Sequence, residues 1–167
     1  MQEEIVFAND ADEAALQRLL LDCGMDLAGE IEEHILIKRA GEILGGALLA
    51  PMSDGVYHLS LLAVVQPERK KGLGSQFLRT FLAQPDKYCS YPAAMSNAAF
   101  RVTTVARGPA AEFYRRNGFV LCDAGQLASP YDVQCDDCPE RESCKPLPMV
   151  FTYNPIADGV NGHQEKR

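Results

Sequence analysis

HLSLLAVVQPERKKGLGSQFLRTFLA, running from His58 to Ala83, sets the pattern for the whole chain. Its first half is apolar, partly β-branched and closed by Pro67, as in a strand buried on both faces. Its second half places Leu73, Phe77, Leu78, Phe81 and Leu82 on one face of a helix, and Pro85 stops that pattern just beyond Gln84. Arg69-Lys-Lys-Gly72-Leu-Gly74 joins the two and feeds into the helix N-terminus. Free backbone N–H groups and the positive end of the helix dipole make such a turn an anion site, and glycine lets a phosphate come close. Two phosphate loops do not fit. A Walker A loop needs GxxxxGK followed by Ser or Thr, which is absent, and a dinucleotide fingerprint needs a third glycine where Phe77 stands.

Working outward, Ile5–Phe7 reads as a short strand, and Asp10 with Glu13 resembles a capping box. Leu16, Leu19, Leu20 and Cys23 then mark the buried face of a helix that Gly24 ends, with Cys23 expected as a core thiol. Three strands follow: His34–Lys38, Glu42–Leu49 after an Ala40-Gly41 hairpin turn, and Val56–Val65 after Ser53-Asp-Gly55. Gly45 and Gly46 mark a bulge or a close approach. Beyond a long connection from Asp86 to Ala99, Phe100–Ala106 alternates like a strand. Pro109 then opens a helix over Ala110–Arg116 that Asn117-Gly118 caps.

A chain of 167 residues, 47% hydrophobic and 23% charged, suits one globular domain. The amino end lacks a basic stretch followed by an apolar core, and no apolar run reaches membrane-spanning length, so a soluble cytoplasmic protein without a membrane partner is expected. A net charge of -7 and a pI near 4.9 oppose nucleic-acid binding, which draws on clustered Lys and Arg. The same field suits a cationic or amine substrate.

Arg69, Gly72 and Gly74 together resemble the acyl-CoA signature of the GNAT N-acetyltransferase superfamily, as does the strand end Leu62-Ala-Val64 before it. A second stretch, Ala111-Glu-Phe-Tyr114-Arg-Arg-Asn-Gly118-Phe119, is similar to that family's other signature, and the two occur in the family's order. The resemblance covers about residues 5–153 and in the fourth strand is nearest to amino-acid N-acetyltransferases. It implies an α/β (α+β) fold, with a mixed, mostly antiparallel sheet of about seven strands and helices on both faces. Residues 1–153 would form the domain, interrupted by an insertion at about 123–147, and 154–167 would be a flexible tail.

The implied activity is transfer of acetyl from acetyl-CoA to a primary amine of a small molecule or amino acid, by direct attack in a ternary complex. By resemblance, backbone amides at Leu62, Ala63, Val64 and Val65 meet the pantetheine arm. Amides from Lys70 through Lys71, Gly72, Leu73 and Gly74 to Ser75 hold the pyrophosphate, with charge from Arg69, Lys70 and Lys71. Tyr114 matches the family's general acid. His58 falls where amino-acid acetyltransferases carry a Glu base, and a neutral imidazole serves that purpose near neutral pH; a hydrogen-bonded strand histidine is the other reading. Gly108 stands where many members have a cofactor-contacting Asn. Asp26, Glu30, Glu32 and Glu33 either border the acceptor or form a solvated acidic face. The connection after Pro85 is expected to wall the acceptor pocket. Cys89 has no histidine beside it in a recognisable nucleophile motif.

Between Leu121 and Pro148 the chain departs from the family. Cys135-Asp-Asp-Cys138-Pro-Glu-Arg-Glu-Ser-Cys144 puts three thiols in a short polar segment. CxxC spacing lets two thiolates reach one ion, so zinc or an iron-sulfur cluster at Cys135, Cys138 and Cys144 is one expectation; a disulfide and free thiols are the others. Cys122, Cys89, Asp137, His163 or a partner subunit would supply a fourth ligand, and a homodimer is one assembly open to the chain. The alternative function is a non-catalytic acyl-CoA-binding or metal-responsive module on the same fold.

Overall fold

The computed structural model describes residues 2–89 and 99–155. Most of the connection expected to wall the acceptor pocket, and the tail with His163, lie outside the described residues. The elements are β1 (Glu3–Phe7), α1 (Glu13–Asp22), β2 (His34–Arg39), β3 (Glu42–Ser53), β4 (Val56–Val64), α2 (Leu73–Ala83), β5 (Phe100–Ala106), α3 (Ala111–Arg116), β6 (Val120–Leu121), α4 (Arg141–Cys144) and β7 (Leu147–Tyr153). The strands form one mixed seven-stranded sheet in the order β1-β2-β3-β4-β5-β7-β6, as the α/β expectation required. The chain divides into two compact units, residues 1–50 with 59–92 and residues 51–58 with 93–167.

In the first unit, β1, β2 and β3 are antiparallel neighbours. Ala40 and Gly41 both take positive φ, 52° and 80°, between the paired Arg39 and Glu42, the two-residue turn whose twist suits a hairpin. Leu16, Leu19 and Leu20 of α1 pack on Ala8, Ile31, Leu36, Leu48, Leu61 and Ala63. The helix starts from a capping box one residue earlier than the sequence suggested: Asn9 caps Ala11, and Asp12 accepts from the Asn9 N–H at 3.0 Å. Asp12 also pairs with Lys38 at 2.9 Å, which ties the helix start to β2.

The two glycines of β3 have separate reasons. The pairing steps from Ile37/Gly45 to Lys38/Ile43, so the extra residue of the bulge, Leu44, lies on β3 just before Gly45, and a Cβ on Gly45 would stand 2.8 Å from the Ala63 carbonyl oxygen. A Cβ on Gly46 would stand 2.5 Å from Cδ1 of Leu16, itself fully buried. Helix α1 therefore sits against bare backbone there. Gly46→Ala is expected to cost about 1–3 kcal/mol by overpacking, seen as a lower urea midpoint with the slope unchanged; an unmoved midpoint would contradict the close packing.

In the second unit, β5 pairs antiparallel with β7 along its whole length, and β6 pairs with β7 at only two positions. Phe119 and Met149 are buried here, and Phe119 rings meet Tyr114 at 5.2 Å and Phe151 at 5.8 Å. Gly118 takes φ 94° after α3, the left-handed cap the Asn-Gly pair implied. The segment between β6 and β7 is ordered by successive tight turns, among them Tyr131 N–H to Ala128, Asp136 N–H to Val133 and Cys138 N–H to Cys135. Leu127 is buried within it.

Candidate active site

The glycine-rich turn lies in the first unit. Lys70 has φ 65° and Gly72 φ 88°, two left-handed residues either side of Lys71. A Cβ on Gly72 would meet nothing within 4 Å, so its glycine answers to backbone conformation and not to crowding. Gln76 N–H bonds the Gly72 carbonyl at 3.0 Å, at the first turn of α2.

Arg69 turns back on the protein, donating from Nε to the Val64 carbonyl at 3.0 Å and from Nη2 to Cys23 Sγ at 3.1 Å. Cys23 is half-buried and packs against the hydrophobic core as well as meeting this guanidinium. Glu68 binds Arg39 and lies 4.0 Å from Lys71. Lys70 and Lys71 are exposed. Val65 gives its N–H to the Leu44 carbonyl at 2.8 Å, so that amide is already committed to the sheet.

The second unit holds both side chains proposed for proton transfer. His58 is 1% exposed, and its Nδ1 lies 2.8 Å from the Thr103 hydroxyl. That hydroxyl donates its single proton to the Tyr57 carbonyl at 3.3 Å. With its proton on that carbonyl the hydroxyl accepts from Nδ1–H, and in this tautomer the Nε2 lone pair is the basic one. Burial pushes the imidazole down to about 4, so it is neutral at physiological pH. On one face of the ring lies Tyr131, stacked at 3.7 Å between centroids and 17° between planes.

Tyr114 is fixed between Phe113 and Phe119, each 5.2 Å away edge-on, and is 7% exposed. Burial pushes its phenol up to about 12, opposed by a hydrogen bond with Thr104, so it carries its proton at neutral pH. Near the start of α3, a Cβ on Gly108 would stand 3.1 Å from Lys145 Cβ and 3.2 Å from the Lys145 carbonyl. The end of the insertion occupies the space that a side chain at 108 would need.

The family model described as an acetyltransferase (GNAT) domain matches residues 30–121, more than half of the chain. The chain belongs to the GNAT acetyltransferase family. No curated protein matches it in sequence. Among solved structures, the GNAT fold here is similar to N-acetylglutamate synthase from Neisseria gonorrhoeae complexed with coenzyme A and N-acetyl-glutamate. The TM-score is 0.67 at 18% identity, over 91% of this chain and 35% of that one, so this GNAT chain spans about a third of that protein. It is also similar to Ard1 from Thermoplasma volcanium, with TM-score 0.64 at 17% identity over 91% and 98% of the two chains. The ribosomal-protein-S18-alanine N-acetyltransferase from Escherichia coli matches with TM-score 0.61 at 13% identity over 92% and 95%.

Other expectations for this GNAT chain fall away. All six cysteines are free thiols. Among the described residues no group of three His, Cys, Asp or Glu side chains could hold an ion, so the metal expected at Cys135, Cys138 and Cys144 is not supported. Cys138 is exposed, and the Cys135 thiol is raised by burial and by the neighbouring Cys138 and Cys144. Cys89 is buried, donates to the Pro85 carbonyl at 3.4 Å and is pushed up to about 12 by burial, which makes it inert. Asp26, Glu30 and Glu32 are exposed, as a solvated acidic face would be. Thr103 and Tyr131, which set the tautomer and surroundings of His58, carry no sequence signal, because one lies 45 residues from His58 and the other lies in the insertion.

Proposed function

We propose that this chain transfers acetyl from acetyl-CoA to the primary amine of a small molecule or amino acid, by direct attack without a covalent enzyme intermediate. The observation that carries this reading is the pairing of a buried, neutral His58 whose Nδ1 is held by Thr103 with a buried, protonated Tyr114. One is a base with its lone pair on Nε2, the other an acid that keeps its proton until a stronger base forms. Two neighbours' names support nitrogen as the acceptor: N-acetyl-glutamate is bound in one, and an alanine N-acetyltransferase is another. Coenzyme A in the first supports the cosubstrate.

In this reading the loop amides from Lys70 to Ser75 hold the pyrophosphate, as the left-handed turn at Lys70 and Gly72 allows. The neutral amine nitrogen attacks the thioester carbonyl, a new C–N bond forms, and His58 Nε2, directly or through water, takes the proton that nitrogen sheds. As the C–S bond breaks, Tyr114 donates its proton to the departing thiolate. The products are an N-acetylated amine and coenzyme A with its free thiol. Release of that thiol, followed across a panel of amines, tests the reading. Turnover with at least one amine is expected, and tight coenzyme A binding with no turnover on any of them would overturn it.

A further inference from the structure

The insertion between β6 and β7 lies outside the motifs that identified the family, yet it lays Tyr131 on one face of His58, with ring centroids 3.7 Å apart and planes 17° from parallel. The seat of Tyr131 is held from both sides along the chain. Four residues earlier Leu127 is buried, and the Tyr131 N–H closes a turn on the Ala128 carbonyl at 2.9 Å. Two residues later the Val133 N–H returns to the Pro130 carbonyl at 3.2 Å. At the far end of the insertion, a Cβ on Gly108 would stand 3.5 Å from the Cys144 carbonyl and 3.1 Å from Lys145 Cβ, so this end packs on the turn between β5 and α3.

Thr103 grips the same imidazole at its edge, through Nδ1. A hydrogen bond tolerates tens of degrees of tilt before it weakens steeply, so that grip alone leaves the ring plane free to rock. A second ring stacked on its face removes this freedom and keeps water from that face. Neither contact uses the Nε2 lone pair, which lies in the plane of the ring. A general base has to meet its proton within hydrogen-bond reach, and small misplacements of catalytic groups are costly in rate. On the acetyl-transfer reading above, we propose that Tyr131 is a positioning residue for His58, which makes the insertion part of the active site. Thr103 sets the tautomer of the base, and the ring of Tyr131 sets its plane and its dryness. Burial is the cause that lowers the proton affinity of His58, and Tyr131 supplies part of that burial.

The test compares Tyr131→Ala with Tyr131→Phe, which keeps the stacked ring and loses only the hydroxyl. Tyr131→Ala is expected to lower kcat by about tenfold to a hundredfold with little change in KM for acetyl-CoA, and Tyr131→Phe to keep most of the wild-type rate. An unchanged kcat in Tyr131→Ala, or equal losses in the two variants, would overturn the proposal. Imidazole NMR titration of His58, its signal assigned by its loss in His58→Gln, adds a readout that a packing defect elsewhere would not move. Opening one ring face to water should make His58 of Tyr131→Ala titrate about one pH unit or more above the wild type, toward 6.5, while Tyr131→Phe follows the wild type. A Tyr131→Ala curve that overlays the wild type would sink the proposal. If no amine is acetylated, the transfer reading fails by itself, and this titration still decides whether Tyr131 covers and holds His58.

Discussion

His58→Gln is expected to lower kcat by about a hundredfold while leaving coenzyme A affinity unchanged, the usual size of a lost general base. Glutamine can still donate to the Thr103 hydroxyl, so the strand and its hydrogen bond are kept while the basic lone pair is removed. Unchanged turnover would make His58 a strand histidine only. The same substitution has a second signature in acid. Burial holds the folded imidazole down at about 4, against 6.5 for an exposed one. Between those values the unfolded chain is protonated and the folded chain is not, so the folded state loses stability as pH falls from about 6.5 to about 4. That gap corresponds to about 3 kcal/mol. His58→Gln should remove this part of the acid destabilisation, measured as urea stability at a series of pH values. A wild-type curve and a variant curve that stay parallel would contradict a buried neutral imidazole.

Tyr114→Phe is expected to lower kcat by about a hundredfold with little change in KM for acetyl-CoA. The ring stays between Phe113 and Phe119, so packing is nearly conserved, and the lost bond to Thr104 costs about 1 kcal/mol of stability. The activity loss thus exceeds what partial unfolding could cause. A thioester whose thiol is more acidic needs less help in leaving, and the variant should recover most of its rate with such a donor. Equal losses with both donors would place Tyr114 in the packing and not in the chemistry.

Much of the frame was legible before any coordinates. The buried face of α2, Leu73, Phe77, Leu78, Phe81 and Leu82, is the face that helical spacing marked out, because every one of those contacts repeats at 3.6 residues along one element. The left-handed positions at Gly41, Gly72 and Gly118 were readable for the same reason: a local conformation requires a local residue type. The capping box shifted by one residue, since Asn9 and Asp12 offer the same side-chain chemistry as Asp10 and Glu13, and only the path of the chain chooses between them. Arg69 was read from its motif as adding charge beside the pyrophosphate; its contacts with the Val64 carbonyl and with Cys23, 46 residues away, were not readable there.

By itself the sequence determined the order of elements, the two family signatures and hence the GNAT fold, because periodicity, turn chemistry and motif spacing are properties of neighbouring residues. Tertiary structure alone decided the state of the residues that would do chemistry. The tautomer of His58 follows from Thr103 on β5 and the Tyr57 carbonyl, its low proton affinity from burial, and its aromatic cover from an insertion some 70 residues downstream. Gly108 looked like a lost cofactor contact and proved to make room for Lys145. Proton affinity and available space are set by whatever the fold brings near, at any separation along the chain.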